Sequence, residues 1–127
     1  MLFIDSSYLI ALLISTDKKH PRTNDLNQEL TEKKIINNTV LSEVLNSLTK
    51  FGGKKGKLIF NLINETFEIE YLNKQDYQEA MDIYLKYDGS INYSDCTILK
   101  TMEKKNINKI VSFDSDFDKV NGIVRIH

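Results

Sequence analysis

Residues 2–14 read LFIDSSYLIALLI, and the way this stretch divides decides the fold. Leu2 to Ile4 is a short continuous apolar run, Ser6 and Ser7 are possible helix N-caps, and Tyr8 to Ile14 is apolar nearly all round. A strand with no polar face is buried on both sides, and a helix with no polar face is buried too. Short hydroxyl side chains at the boundary between them can satisfy the first free amides of the helix. A buried strand running straight into a buried helix is the opening of an α/β fold.

The same unit recurs along the chain. Lys34 to Asn38 (KIINN) predicts a second strand, and Val40 to Phe51 carries apolar residues at 40, 41, 44, 45, 48 and 51, the spacing of one helix face, ended by Gly52 and Gly53. Leu58 to Ile63 predicts a further helix, and FEIEYL (67–72) alternates apolar and acidic residues as a strand with one wet face does. Gln75 to Tyr87 reads as a helix stopped near Gly89, and Tyr93 to Lys105 as another; IVSF (110–113) is a continuous apolar strand and GIVRI (122–126) a last short one. Strands alternating with helices predict a central, mostly parallel sheet of about five strands with helices on both faces. LFI and IVSF have the composition of central strands, whereas FEIEY and IVRI carry charges and read as edges.

Composition narrows the chemistry. A length of 127 residues fits one domain that buries roughly two-thirds of its unfolded surface. The N-terminal apolar run lacks a basic flank, carries Asp5, and in YLIALLI is too short for a bilayer, so no membrane segment is expected and the expected location is cytoplasmic. Cys96 is the single cysteine and His20 and His127 are the only histidines, which excludes an internal disulfide and a Cys/His zinc site; any metal must be held by oxygen. Net charge of −1 gives no global pull on nucleic acid, leaving local patches such as KFGGKKGK (50–57), which reads as a solvated basic loop or as a contact for a polyanion.

The acids are the informative residues. Asp5 follows the first central strand and Asp114 follows the other, and in open α/β sheets ligands bind beyond the carboxyl ends of the strands where the strand order reverses. Asp95 shares a helix face with Ile98, Leu99 and Met102, and a carboxylate within an apolar stripe needs a cation, a capping role or a cleft. Glu43 lies in the first turn of the helix after the second strand. Asp114, Asp116 and Asp118 alternate as in the opening of a calcium-binding EF-hand, but the sixth and twelfth positions of that pattern hold Lys119 and Arg125 instead of Gly and Glu. Taken singly, Asp5 and Asp95 could be helix caps, Asp114 and Asp116 turn residues, and Glu43 part of a capping box. Four carboxylates converging on one crevice would repel by about 4 kcal/mol per close pair at an intermediate dielectric. A divalent cation relieves that repulsion, and Mg²⁺ or Mn²⁺ suits an all-oxygen site.

In order along the chain, FIDSSYLI, TVLSEVLN, YSDCTIL and VSFDSDF resemble the motifs of PIN-domain nucleases, in particular the compact VapC-type toxins of toxin–antitoxin pairs. The resemblance spans residues 1–127 and implies a single PIN-like domain. It implies a metal pocket of Asp5, Glu43, Asp95 and Asp114, with Asp116 as a further acid and Ser7 and Ser112 as their supporting hydroxyls. It also implies a metal-dependent endoribonuclease acting on single-stranded RNA, an antitoxin partner and a homodimer, with Lys54, Lys55 and Lys57 as candidate RNA contacts. The chain departs from the family pattern at Cys96, where a small residue such as Ala is more usual, and at Ser115, where a basic residue is common. Asp118 has no counterpart and reads as a surface residue, and Cys96 as a packed helix residue. Two other readings compete: a phospho-accepting receiver domain, which would need an acid pair after strand 1 and an acceptor Asp after strand 3, and a PIN fold that serves only as a binding module.

Overall fold

The computed structural model describes all residues from Met1 to His127. Five strands, β1 (Leu2–Ile4), β2 (Lys34–Asn37), β3 (Glu68–Glu70), β4 (Lys109–Val111) and β5 (Val124–Ile126), form one sheet in the order β3-β2-β1-β4-β5. Every neighbouring pair is parallel. The expected mostly parallel sheet is thus wholly parallel, with the two continuous apolar runs at its centre and the two charged strands at its edges. The chain winds outward from β1 to β3 and then restarts on the other side at β4, so the reversal falls between β1 and β4, where Phe3 pairs with Ile110 and Ile4 with Val111. A receiver domain has the order 2-1-3-4-5. The observed order excludes it.

Six helices surround the sheet: α1 (Ser6–Leu13), α2 (His20–Glu29), α3 (Asn38–Ser47), α4 (Gly53–Thr66), α5 (Lys74–Lys86) and α6 (Tyr93–Lys105). The core is continuous from Leu2, Phe3 and Ile4 through Ile35, Ile36, Val44, Ile98, Met102, Ile110 and Phe117, all at most about one per cent exposed. No helix is long and apolar enough to cross a membrane.

The helix boundaries differ from the sequence expectation in ways that have local causes. Asp5, not Ser6 or Ser7, caps α1: its carboxylate accepts the Ser6 amide at 2.8 Å. Asn37 caps α3 through Val40 N–H, so that helix starts two residues before Val40 and gives way to a short 3-10 turn at Thr49–Phe51. The segment expected as a basic loop is helical, because only Gly52, at φ +88°, breaks the chain and α4 begins at Gly53. Helix α2 was not expected at all; HPRTNDLNQE buries little beyond Thr23 and Leu26, too few positions to define an apolar stripe.

Candidate active site

The C-terminal ends of β1 and β4 are joined by hydroxyl groups. Asp5, 3 % exposed, accepts Ser112 Oγ–H at 2.7 Å and Ser7 Oγ–H at 2.8 Å on one carboxylate oxygen, and the Ser6 amide on the other. Ser112 Oγ in turn accepts the Asp114 amide at 3.0 Å, and Ser7 Oγ accepts the Phe113 amide at 3.0 Å. These bonds fix the chain as it leaves β4 and set the direction in which Asp114 departs. Burial raises the pKa of Asp5 above the usual carboxylate range, against the pull of its three hydrogen bonds and with a smaller push from Asp114.

Helix α6 brings in Asp95. Asn92 caps that helix by accepting the Asp95 amide at 2.8 Å, which leaves the Asp95 carboxylate free to project. The helix is held against β2 by Asn37, whose amide donates to Thr101 Oγ1 at 3.0 Å and to the Thr97 carbonyl at 3.4 Å. Asp95 is 6 % exposed, and its Oδ2 is the one buried side-chain polar atom in the protein without a hydrogen-bond partner. Its pKa is raised to about 9, chiefly by burial, then by the facing carboxyl of Asp114, with further contributions from Asp5 and Glu43. A carboxyl so shifted favours its neutral form over a wider pH range than an ordinary one does.

Oxygen atoms of Asp95, Asp114 and Asp116 lie within 4.8 Å of one another. Asp114 caps the 3-10 turn Ser115–Lys119 by accepting the Asp116 amide at 2.9 Å, which turns Asp116 back toward the same point. Asp116 also pairs with Lys119 at 2.9 Å. Glu43 is half-buried on α3; Ser6 Oγ–H donates to it at 3.4 Å, and burial followed by the charge on Asp5 raises its pKa. Asp5 and Glu43 thus adjoin the three-carboxylate cluster and act on it electrostatically. An orphaned buried oxygen, three convergent carboxylates and the absence of soft ligands fit a hard divalent cation.

The basic run lies elsewhere. Lys55 lines a groove with Leu13, Ile14, Ser15, Thr16 and Phe51, at the end of α1 opposite the one Asp5 caps. Eight residues of helix separate those ends by about 12 Å. Lys54, Lys55 and Lys57 are all exposed, and no ion pair joins them to the carboxylates. Nearer the acids is Lys19, whose ammonium stands 5.6 Å over the ring of Phe113, the residue before Asp114; nothing in local sequence links positions 19 and 113. Sequence reading also missed the roles of Ser6, Asn37 and Asn92, although an Asn three residues before a helical Asp is a recognisable capping signal. His20 is occupied structurally, its Nδ1 lying 2.7 Å from the Ala11 carbonyl.

The PIN domain family model matches residues 2–123. The chain belongs to the PIN domain family. Among solved structures, this PIN domain is similar to the Mycobacterium tuberculosis toxin VapC20, described as cleaving the sarcin-ricin loop, with a TM-score of 0.86 and 22% identity over 99% of this chain and 98% of that one. It is similar to a toxin–antitoxin complex from Klebsiella pneumoniae, with a TM-score of 0.76 and 19% identity over 98% and 96% of the two chains. A third likeness is to VapBC2 from Rickettsia felis bound to a DNA fragment from its promoter, with a TM-score of 0.70 and 13% identity over 99% and 98%. At these identities the likeness is one of fold. A search of curated protein sequences gives no match.

Proposed function

We propose that this PIN domain is a Mg²⁺- or Mn²⁺-dependent endoribonuclease that hydrolyses phosphodiester bonds of single-stranded RNA, and that it is the toxin of a type II toxin–antitoxin pair. The observation that carries the reading is the buried, unpartnered oxygen of Asp95 facing Asp114 and Asp116. A carboxylate kept in that state weakens the fold unless a cation uses it. Asp95, Asp114 and Asp116 would hold the ion, with Asp5 and Glu43 at its border.

A divalent ion held there supplies positive charge that acidifies a water and offsets the charge that develops on phosphate. The protein's own groups prepare the place. Ser7, Ser112 and the Ser6 amide hold Asp5 in one orientation, Asn92 fixes the first turn of α6 beneath Asp95, and Asp114 folds Asp116 inward. A bound cation would offset the burial and the neighbouring acids that raise the Asp95 pKa. Neither histidine stands in the crevice as a base. Lys19, beside Phe113, is placed to meet the RNA backbone close to the acids, with Lys54, Lys55 and Lys57 meeting it farther along.

A toxin of this kind acts in the cytoplasm, is held inactive by a cognate antitoxin protein over the crevice, and assembles as a homodimer. Support for the partner is the fold likeness to toxin–antitoxin complexes. The test is cleavage of end-labelled single-stranded RNA with Mg²⁺, Mn²⁺ or EDTA, beside the Asp95→Asn and Asp5→Asn variants. Metal-dependent cutting lost in both variants supports the reading; cutting that persists in either sinks it.

A further inference from the structure

Asp118, the last of the three alternating acids, lies outside the carboxylate cluster and is occupied by Arg125 of the edge strand β5. Arg125 Nε and Nη2 donate to the two oxygens of Asp118 at 2.9 Å each, and Nη1 donates to the Ser112 carbonyl at 3.2 Å. The arginine side chain is 11 % exposed although Asp118 is 57 % exposed. Ser112 is the residue whose hydroxyl binds Asp5 and the Asp114 amide. The guanidinium therefore spans the loop from its first residue to its 3-10 turn, and Asp114 and Asp116 lie between the two points it grips.

We propose that Arg125 is a positioning residue for the acidic cluster: by closing the loop from Ser112 to Asp118 it holds the Asp114 and Asp116 carboxylates against Asp95 and preorganises them for a divalent cation. This rests on the metal-site reading above. Three acidic groups crowded within 4.8 Å favour an outward loop, and what resists this is the set of bonds at the loop's ends together with the buried Phe117. On the other side, Lys119 ties Asp116 to the Ser90 carbonyl at 3.0 Å, but Lys119 is itself half-exposed and ends in a single ammonium. A planar fork that makes three bonds in one geometry fixes a loop where a lysine cannot. Groups that orient metal-binding carboxylates set affinity without touching the ion.

The test is Mn²⁺ affinity by titration calorimetry, with melting temperature and amide hydrogen exchange at Asp116 and Phe117, for Arg125→Gln, Arg125→Lys, Asp118→Asn and the Arg125→Gln/Asp118→Asn pair. Asp95→Asn serves as the control for the metal site. Arg125→Gln is expected to weaken Mn²⁺ binding by roughly tenfold. Asp118→Asn, which cuts the same brace from its exposed end and does not endanger folding, should shift affinity in the same direction, and the double variant should be no weaker than Arg125→Gln. Arg125→Lys keeps the charge without the fork and should not restore the affinity. Wild-type affinity in both Arg125→Gln and Asp118→Asn, with or without a lower melting temperature, overturns the proposal while a loss in Asp95→Asn leaves the metal site standing. Binding unchanged in Asp95→Asn, or no Mn²⁺ uptake by the wild type, overturns both.

Discussion

Helices α5 and α6 begin with the same device and use it to opposite ends. Asn73 caps α5 by accepting the Asp76 amide at 2.9 Å, and Asn92 caps α6 by accepting the Asp95 amide at 2.8 Å. Both aspartates are buried, at 5 % and 6 % exposure. Asp76 turns back to accept the Asn73 amide and receives Lys104 at 2.9 Å, completing a capping box with a counter-ion. Asp95 has neither. Burial pushes both pKa values upward, but at Asp76 the Asn73 amide and Lys104, helped by Lys100, outweigh it and the net shift is downward. At Asp95 the neighbours are acids and the value climbs to about 9. Position on a helix does not make a carboxylate reactive; what faces it does.

The largest effect that can break this contrast is on cleavage. Asp95→Asn should lower RNA hydrolysis by a factor on the order of 10³ while Asp76→Asn leaves it near wild type, as measured on labelled RNA at saturating Mn²⁺. Equal losses would mean that the two sites do not differ as described.

Stability should move the other way. Asp76→Asn is expected to cost about 1–2 kcal/mol in denaturant unfolding, since it removes a cap and a counter-ion. In metal-free protein Asp95→Asn is expected to add about 1 kcal/mol, because an unpartnered carboxyl is buried there at the expense of the fold.

The pH dependence sharpens the comparison. Asp95 holds its proton in the folded protein up to about 9 and loses it near 3.8 when unfolded, so its stabilising contribution is full below the unfolded value and is lost as pH rises through that window. Asp5 and Glu43, both raised, act in the same direction. Asp76, lowered, contributes above its unfolded value and loses that contribution as pH falls. Thermal melts of the metal-free protein from pH 5 to 9 should slope downward, and the slope should flatten in Asp95→Asn.

Smaller effects follow at the border. Ser112→Ala removes a donor from Asp5 and an acceptor from the Asp114 amide, and should cost about 1 kcal/mol in stability and roughly tenfold in kcat. Replacing Lys54, Lys55 and Lys57 by Gln should raise KM a few-fold and reduce its salt dependence with kcat unchanged.

Much of this arrangement is legible in the sequence because it is written in short-range signals. LFI and IVSF lack a polar face, so their central places follow from burial, and an acid directly after each must then lie at the sheet's carboxyl edge. Asp95 announces itself by interrupting an apolar stripe. What could not be read are pairings between distant residues. Lys104 with Asp76, Arg125 with Asp118 and Lys19 with Phe113 depend on tertiary approach, and no spacing rule separates a paired carboxylate from a free one. Asp118 is exposed, as its reading as a surface residue expected, but for the same reason its hold on Arg125 could not be read. The basic run misled in another way: its lysines suggested a loop, yet glycine spacing permits a helix when Ile59 and Ile63 give it an apolar face to bury.

The bond from Ser112 to Asp5 joins residues 107 apart in the chain. In a parallel sheet whose first strand lies between the second and the fourth, β1 waits for β4 before its second edge is covered. During synthesis Asp5 is therefore made well before Ser112 and Asp114, and the crevice closes only after β4 has left the ribosome. A product that stops between residues 96 and 111 carries Asp5, Glu43 and Asp95 but no Ser112, Asp114 or Asp116. Such a fragment holds only one of the three clustered carboxylates.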